Sequence, residues 1–362
     1  MIRRCLITSL LWLAADITWA QPIQDWIRMK AQTPRGYQCR RTTTPIAIDG
    51  RLEDVAWRQA PWTQEFLDIQ GPHLPKPKFD TRAKMLWDSE YFYIAALLKE
   101  PHIWGTLTNR DAVIFQDNDF EVFIDPDGDG HEYFEFEMNA LNTQWDLRLV
   151  KAYKDGGPAL NEWDIAGIKT AVHIEGTLND PRDVDRWWSV EIALPWRALG
   201  QYSLQPSPPV AGDRWRVDFS RVEWQIDLSS GRYVKVPKKP EDNWVWSPTG
   251  IIDMHRPDRW GIVEFASSEA PKRAIRPNDE DAIRERLMEV YYLQRQFLAD
   301  YKRYAASFDE LVPIAKAAGL TWNEAETPRL WKTPEGYVAT LQASPNSSTR
   351  WHVRQDARLW KE

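Results

Sequence analysis

The chain has 362 residues, with 46 lysines and arginines against 53 aspartates and glutamates, so its formal net charge is −7. This acidic balance, with no basic run longer than Lys238-Lys239, argues against nucleic acid as a partner. The length predicts one large domain plus a small one. Tryptophan is the outlier, at 21 residues; most are expected in the core of a large β-fold, and a few on an exposed face would suit sugar rings.

Residues 1–20 predict a secretory signal peptide. Arg3 and Arg4 form its charged start, residues 5–15 its apolar stretch and residues 18–20 its cleavage site. The apolar stretch is too short to span a membrane, and so is every later apolar segment. The protein is therefore expected to be exported, to the periplasm or the extracellular space. Cys5 would be removed with the signal, which leaves Cys39 and predicts no intramolecular disulfide.

The mature chain is predicted to open with a polar leader, residues 21–36, followed by a β-rich domain, residues 37–265. The segment Ile46–Trp57 is predicted as a strand, a turn at Asp49-Gly50 and a helical turn that points Trp57 inward. Strand spacing of about 10 to 20 residues with few helices predicts an antiparallel β-sandwich, a mainly β fold. Outside the centre of this domain, strands are predicted at residues 81–87, 91–99, 170–175, 187–194 and 214–222.

The centre of this domain, Asp117–Val150, predicts three antiparallel strands with a strict period of two. The third strand is predicted to bury Trp145, Leu147 and Leu149, continuing an apolar wall that starts with Phe120 and its alternating neighbours. A mixture of carboxylates, amides and a guanidinium on the opposite face can hydrogen-bond a polyhydroxylated ligand, although an ordinary solvated sheet face is also polar. The polar face is predicted to contain Glu121, Glu135, Glu137, Asn139, Gln144, Asp146 and Arg148.

The turn between the first two of these strands contains Asp125, Asp127 and Asp129. Their spacing matches the beginning of an EF-hand calcium loop, but the match ends at position twelve, which is Phe136. Two interpretations remain open, namely calcium held in a β-hairpin turn and a solvated acidic turn.

After a linker at residues 266–277, residues 278–362 predict a small α+β domain. Asn278 or Asp279 is expected to cap a helix that runs to about Tyr304, followed by a short helix at 307–318 and a hairpin of 337–341 with 351–354 around 345–347. A long helix on a small hairpin resembles the C-terminal half of pilin-like subunits, through the runs at 291–297 and 304–311. The assembly helix of a pilin is absent from the mature N-terminus, so we predict a domain that could dock a protein partner.

Five segments of the β domain occur in an order typical of a known family: IAIDGRLEDVAW at 46–57, LWDSEYFYIAALL at 86–98, DNDFEVFID at 117–125, WWSVEIALPW at 187–196 and WGIVEF at 260–265. Through them the domain resembles carbohydrate-binding module family 9 over about residues 38–265. Members of that family are β-sandwiches with bound calcium, and the best-known type grips a sugar end between two tryptophans.

This resemblance implies a set of sugar-binding positions. Glu121 and Asn139 stand where the family places sugar-bonding groups, and Glu137 stands where it has an arginine. Phe115 takes the place of the first sandwiching tryptophan, and the region of the second reads Met254-His255-Arg256. The complete set of predicted ligand-binding residues is Phe115, Glu121, Glu137, Asn139, Arg148, Trp246 and His255.

The sequence thus predicts an exported, non-catalytic carbohydrate-binding protein that holds an oligo- or polysaccharide on a polar and aromatic sheet face and supports polysaccharide catabolism. The alternative is an envelope scaffold that kept the sandwich and lost sugar binding. A glycoside hydrolase would need two carboxylates across a cleft, such as Glu121 and Glu135, but any acidic cross-strand pair meets that distance. Six scattered histidines show no zinc-binding spacing.

Overall fold

The structure, a computed structural model, describes residues 22–323, 327–344 and 347–362. The predicted signal peptide and most of the predicted turn at 345–347 lie outside the described residues. The helices are α1 (Pro22–Lys30), α2 (Val55–Gln59), α3 (Trp196–Leu199), α4 (Asp279–Tyr301) and α5 (Val312–Ala317), with single 3-10 turns at Ile114–Gln116, Tyr153–Asp155, Pro257–Arg259 and Phe308–Glu310.

Most of the regular secondary structure is β-strand, as the sequence predicted. The strands of the large sheet and of a small hairpin are β1 (Gly36–Arg41), β2 (Leu67–Asp68), β3 (Thr81–Trp87), β4 (Tyr91–Lys99), β5 (Asp119–Asp125), β6 (His131–Asn139), β7 (Gln144–Lys151), β8 (Ala159–Leu160), β9 (Lys169–Glu175), β10 (Trp187–Pro195), β11 (Arg214–Glu223), β12 (Ile226–Asp227), β13 (Val234–Lys235), β14 (Asp242–Val245) and β15 (Gly261–Ala266). Those of the C-terminal sheet are β16 (Arg329–Lys332), β17 (Tyr337–Gln342), β18 (Arg350–Arg354) and β19 (Leu359–Lys361).

The large sheet runs in the order β8-β7-β6-β5-β11-β15-β1-β3-β4-β10-β9, with β14 and β2 attached to β11. It curls so that its two halves enclose one apolar core, and this confirms the mainly β, sandwich-like prediction. Phe120 from β5 and Ile192 from β10 belong to the same buried cluster. Trp196 lies among the core rings, stacked on Phe92 at 5.8 Å and edge-on to Trp215 at 5.5 Å between ring centroids.

The opening of the β domain differs from the prediction in one element. No strand forms at 46–48, whereas the predicted turn and the helical turn α2 are present. The Trp57 side chain is fully buried, and its Nε1 donates to Glu191 Oε1 at 2.6 Å. Gly50 has φ = 83°, and a Cβ there would lie 2.5 Å from the backbone of the neighbouring strand at His173. Only glycine fits this turn.

The C-terminal unit consists of α4, the short helical segments after it and a four-stranded sheet of β16 to β19. Asn278 caps α4 in a capping box: its side chain accepts from Asp281 N at 3.0 Å, and the Asp281 carboxylate accepts from Asn278 N at 2.9 Å. The predicted hairpin forms as β17 and β18. The second predicted helix is shorter than expected and is divided into a 3-10 turn and α5.

The segment predicted as a leader without regular structure forms helix α1. Its apolar side chains Ile23, Trp26 and Met29 are buried in one cluster with α4 and the C-terminal sheet. The sequence did not predict this helix, because its buried apolar residues lie on one face only. That face packs on α4, which is more than 250 residues away in sequence. The chain therefore begins its described part by packing on its C-terminal unit.

Hydrogen bonds and ion pairs join the C-terminal unit to the β domain. Tyr291 Oη donates to Asp155 Oδ1 at 2.5 Å, and Arg216 pairs with Asp281 at 2.5 Å. Arg358 Nε donates to Asp129 Oδ2 at 2.9 Å. Within the described residues, no helix is both long and apolar enough to cross a membrane.

Candidate functional site

A cleft of about 300 Å³ opens on the outer face of β5, β6 and β7, on the side opposite to the main core. The strands supply its floor, and loops that precede β5, follow β7 and flank β14 supply its rim. It is lined by Ile69, Phe115, Glu121, Phe123, Glu135, Glu137, Trp145, Tyr153, Val222, Glu241, Asn243, Ile252, Asp253, Met254 and His255. The cleft thus brings together four of the predicted ligand-binding residues, namely Phe115, Glu121, Glu137 and His255.

Strand register decides which side chains reach this floor. Glu121 on β5 lies opposite Glu137 on β6, and Glu137 lies opposite Trp145 on β7. Residues directly opposite each other in an antiparallel pair point to the same face. Trp145 therefore stands beside the carboxylates at the cleft.

The third predicted strand is β7, and the prediction that its odd-numbered side chains continue the apolar wall while its even-numbered ones join the polar face is wrong. The β6–β7 pairing joins Met138 to Gln144, so even-numbered residues of both strands share the core side. This register puts Trp145 at the cleft and places Leu147 and Leu149 in a second apolar cluster with Phe123, Tyr133 and Trp260 beneath it. Gln144, Asp146 and Arg148 point to the side of the main core and do not join the polar face.

Three glutamates form the floor of the cleft, and each of them is buried. Glu137 Oε2 accepts a hydrogen bond from Phe115 N at 3.0 Å. Burial raises the pKa of Glu121 to about 7. Burial also raises the pKa of Glu135 and of Glu137 well above the usual range, and the charge of Glu121 adds to both shifts. The floor therefore holds protons more tightly than free carboxylates do.

A fourth carboxylate lies behind this floor. Asp119 is fully buried, and its Oδ1 accepts from Val222 N at 3.2 Å. Its Oδ2 has no hydrogen-bond partner among the residues that the structure describes. Oxygen atoms of Asp119, Glu121 and Glu137 all lie within 4.8 Å of one another, so burial and the charge of Glu121 raise the pKa of Asp119 well above its usual value.

Aromatic side chains form the walls. The Phe115 and Trp145 rings are 6.4 Å apart between centroids and tilted by 32°. Trp224 Nε1 donates to Phe115 O at 2.8 Å and fixes the loop that carries this phenylalanine. Tyr153 and His255 form an edge-on pair at 4.5 Å. Flat aromatic faces beside carboxylates suit a ligand with both C–H faces and hydrogen-bond donors.

His255 forms part of the cleft wall, and its imidazole ring is neutral. Its Nδ1 lies 3.0 Å from Tyr133 Oη, and its Nε2 lies 4.0 Å from Glu135 Oε2. Burial lowers the pKa of His255 to about 4. The imidazole is therefore uncharged at neutral pH and does not neutralise the carboxylates.

Asn139 lies on the same sheet face as Glu137 but does not line the cleft. Its side chain is fully buried and uses both of its polar atoms inside the protein. The amide Nδ2 donates to Leu107 O at 2.9 Å and to Asp117 Oδ2 at 3.0 Å, while Oδ1 accepts from the backbone nitrogens of Leu141 and Thr143. The predicted role as a direct sugar ligand is replaced by a structural one, because Asn139 holds the β6–β7 turn to the loop before β5.

Arg148 and Trp246 are also placed elsewhere. Arg148 points to the other face, where it pairs with Glu132 and its guanidinium lies 3.7 Å from the ring centroid of Tyr202. Trp246 is fully buried in the main core, 5.7 Å from Phe219 between ring centroids. Neither can contact a ligand in the cleft without unpacking the sheet.

The predicted calcium ligands lie at the end of β5, apart from the cleft. Oxygen atoms of Asp125, Asp127 and Asp129 lie within 4.8 Å of one another. Burial, and then the charges of the other two, raises the pKa of Asp125 well above its usual value. Asp129 is also paired with Arg358, so this turn connects the β domain to the C-terminal unit.

Several loop residues of the cleft and one strand residue were not predicted from the sequence. Tyr153, Glu241 and Ile252 come from three segments whose order in space depends on the whole sheet. Trp145 could have been found, because the five residues between the paired Met138 and Gln144 keep odd residues opposite odd residues. That count alone places Trp145 next to Glu137.

Comparisons with known proteins agree with the β-domain prediction. Residues 48–208 match the family model described as carbohydrate family 9 binding domain-like. Endo-1,4-beta-xylanase A of Thermotoga neapolitana is 26% identical over 172 residues, and that of Thermotoga maritima is 24% identical over the same length. Each match covers 46% of this chain but 13% of the xylanase.

Solved structures with a similar chain path include a protein from Bacteroides uniformis, 16% identical, covering 64% of this chain and 100% of that one with a TM-score of 0.48. A carbohydrate-binding module of family 9 from Caldicellulosiruptor kristjanssonii, in complex with cellotriose, is 16% identical with a TM-score of 0.42, covering 66% of this chain and 100% of that one. The match to the family model confirms the resemblance to family 9 over residues 48–208. The matched family is one of binding domains, in agreement with the non-catalytic prediction.

Proposed function

We propose that this protein is an exported, non-catalytic carbohydrate-binding protein that holds part of an oligo- or polysaccharide in the cleft on β5, β6 and β7. The proposal rests on one observation. Two aromatic rings and two carboxyl groups line the same cleft of about 300 Å³, namely those of Phe115, Trp145, Glu121 and Glu137. A cleft of this size accommodates one or two sugar rings. Aromatic faces would stack on the apolar faces of a ring, and the carboxylates would accept hydrogen bonds from its hydroxyl groups.

The proposal is tested by screening the purified chain against a glycan array, with and without calcium, and measuring the affinity of each hit by calorimetry. Trp145→Ala is expected to weaken binding about tenfold, because loss of one stacking platform removes roughly 1.4 kcal/mol. Trp331→Ala is the matched control, since Trp331 is 56% exposed on the C-terminal sheet. It is expected to leave the affinity unchanged.

Two outcomes would contradict this function. If the folded protein binds no glycan on the array, the scaffold interpretation is favoured, in which the protein keeps the sandwich fold but does not bind sugar. Equal affinities for the wild type and Trp145→Ala would show that sugar binds outside this cleft.

We further propose that the Asp-rich turn holds a calcium ion. The donor set of Asp125, Asp127 and Asp129 consists of carboxylate oxygens, the ligands that calcium prefers. Backbone N–H groups donate hydrogen bonds to these carboxylates; for example, Gly130 N donates to Asp125 Oδ2 at 2.9 Å. Each carboxylate oxygen has a second lone pair that can bind a metal ion. A bound ion would neutralise the crowded charges and stiffen the turn that contacts Arg358.

Calcium is accordingly expected to raise the melting temperature. At a calcium concentration about 100 times Kd, the ion would stabilise the protein by about 2.7 kcal/mol. Asp127→Asn should remove most of this gain, whereas Asp183→Asn, a change at an exposed aspartate outside the turn, should keep it. Identical melting curves in calcium and in EDTA would support the solvated acidic turn instead.

A further inference from the structure

The charge of the cleft has one sign. Its lining includes five acidic residues and, among the described residues that line it, no lysine or arginine. The nearby Lys235 places its Nζ 3.6 Å from the ring centroid of Trp224 and donates to Gln116. His255 is neutral at physiological pH because burial lowers its pKa to about 4. The acidic lining residues are Glu121, Glu135, Glu137, Glu241 and Asp253. Asp253 is already paired with Arg256, 2.9 Å away, so the acidic character of the lining comes from the four glutamates.

The deepest carboxylate, Asp119, has incomplete hydrogen bonding. It has no exposed surface, and its Oδ2 meets no donor among the described residues, although its oxygens belong to the same group within 4.8 Å as those of Glu121 and Glu137. A buried carboxylate oxygen without a donor is costly, and three carboxylates close together repel one another. Such a cluster favours a ligand that brings a positive charge and several N–H donors.

The walls decide what kind of cation fits. Phe115 and Trp145 line the cleft above Glu121 and Glu137. Aromatic faces attract an organic ammonium group and stack on sugar rings, whereas a calcium ion requires a shell of oxygen ligands. An ammonium group carries three donors, enough to bond two carboxylates at once.

We propose that the cleft is selective for saccharides that carry a protonated amine, with the ammonium group bound between Glu121 and Glu137 and the sugar ring against Trp145. This inference rests on the proposed function, because it names the class of sugar that the same cleft takes. The ammonium group would provide the positive charge that the carboxylate cluster lacks, and charge-assisted hydrogen bonds are the stronger ones.

The test compares three β-1,4-linked trimers by calorimetry at neutral pH: the glucosamine trimer, the N-acetylglucosamine trimer and cellotriose. The trimers share linkage and length but differ in the positive charge. We expect the glucosamine trimer to bind about thirtyfold or more tightly than either neutral trimer.

Variants locate the effect in the carboxylate cluster. Glu137→Gln keeps the side-chain oxygen that accepts from Phe115 N but cannot release a proton to become a carboxylate when an ammonium group binds, so the preference for the amine should fall about tenfold while the affinities for the neutral trimers stay the same. Glu121→Gln provides an independent second variant if Glu137→Gln folds poorly. Glu162→Gln, at an exposed glutamate, is the matched control and should keep the full preference.

Each other result overturns the inference in a distinguishable way. Neutral trimers that bind as tightly as the glucosamine trimer would leave the proposed function standing and remove the selectivity for an amine. Binding of any trimer that requires added calcium in Asp127→Asn as well as in the wild type, and is lost in EDTA, would assign the cluster to a metal ion. Absence of binding by all three trimers, together with a silent glycan array, would overturn the inference and the proposed function together.

Discussion

Trp26→Ala is expected to lower the free energy of unfolding by about 3–5 kcal/mol, because it removes a fully buried aromatic side chain between α1 and α4. The Trp26 ring stacks on Tyr292 with 5.0 Å between centroids and an interplanar angle of 18°. Its Nε1 donates to Glu289 Oε2 at 3.3 Å, and Glu289 has no exposed surface. The substitution therefore opens a cavity and takes a donor from a buried carboxylate.

The loss is measured by urea denaturation, followed by tryptophan fluorescence and circular dichroism. Gln24→Ala is the matched control, because Gln24 lies on the exposed side of the same helix; it should change the free energy of unfolding by less than about 0.5 kcal/mol. A loss of under about 1 kcal/mol for Trp26→Ala would contradict the packing of α1 on α4.

The docking of α1 shows where sequence reasoning stopped. Its buried positions Ile23, Trp26 and Met29 are spaced by three residues, but nine residues hold too few turns for a clear helical period. The partner surface on α4, including Tyr292, follows more than 250 residues later. Contacts of that range depend on the tertiary fold, which a local pattern does not encode.

Elements with a strong local signal were predicted well. The β3–β4 hairpin has the predicted bounds, since an alternating segment before and a continuous apolar run after surround a turn at Asp88-Ser89-Glu90. The start of α4 follows from the capping box between Asn278 and Asp281. Both signals are complete within about a dozen residues, so neither depends on the rest of the chain.

The candidate site was predicted in part for the same reason. Glu121 and Glu137 follow directly from the period of β5 and β6, and the structure places them opposite each other. Asn139 obeys the same period, but it lies where the hairpin turns, and backbone groups of that turn occupy its side chain. Periodicity gives the face of a residue, whereas its availability to a ligand depends on the loops that cover it.

Stability is expected to fall as pH rises from about 4.5 to about 7, because of the carboxylates of the cleft. The pKa of Glu121 is about 7 in the folded protein, against an ordinary value of 4.5. Between these values the folded state keeps a proton that the unfolded state has released, so each rise in pH favours unfolding. Glu121 alone would cost about 3 kcal/mol across this range. Asp119, Glu135 and Glu137, whose pKa values are also raised, act in the same direction.

The contribution of Glu121 to the pH dependence of stability is isolated by measuring the free energy of unfolding in urea at pH 5 and pH 8, for the wild type and for Glu121→Gln. Glutamine cannot ionise, so this variant should gain about 1–3 kcal/mol over the wild type at pH 8 and little at pH 5. Glu162→Gln, at an exposed position, should follow the wild type at both values. If the wild type and Glu121→Gln lose stability in parallel, the glutamates of the cleft are paired or solvated. The charge cluster on which selectivity for an amine rests would then be absent.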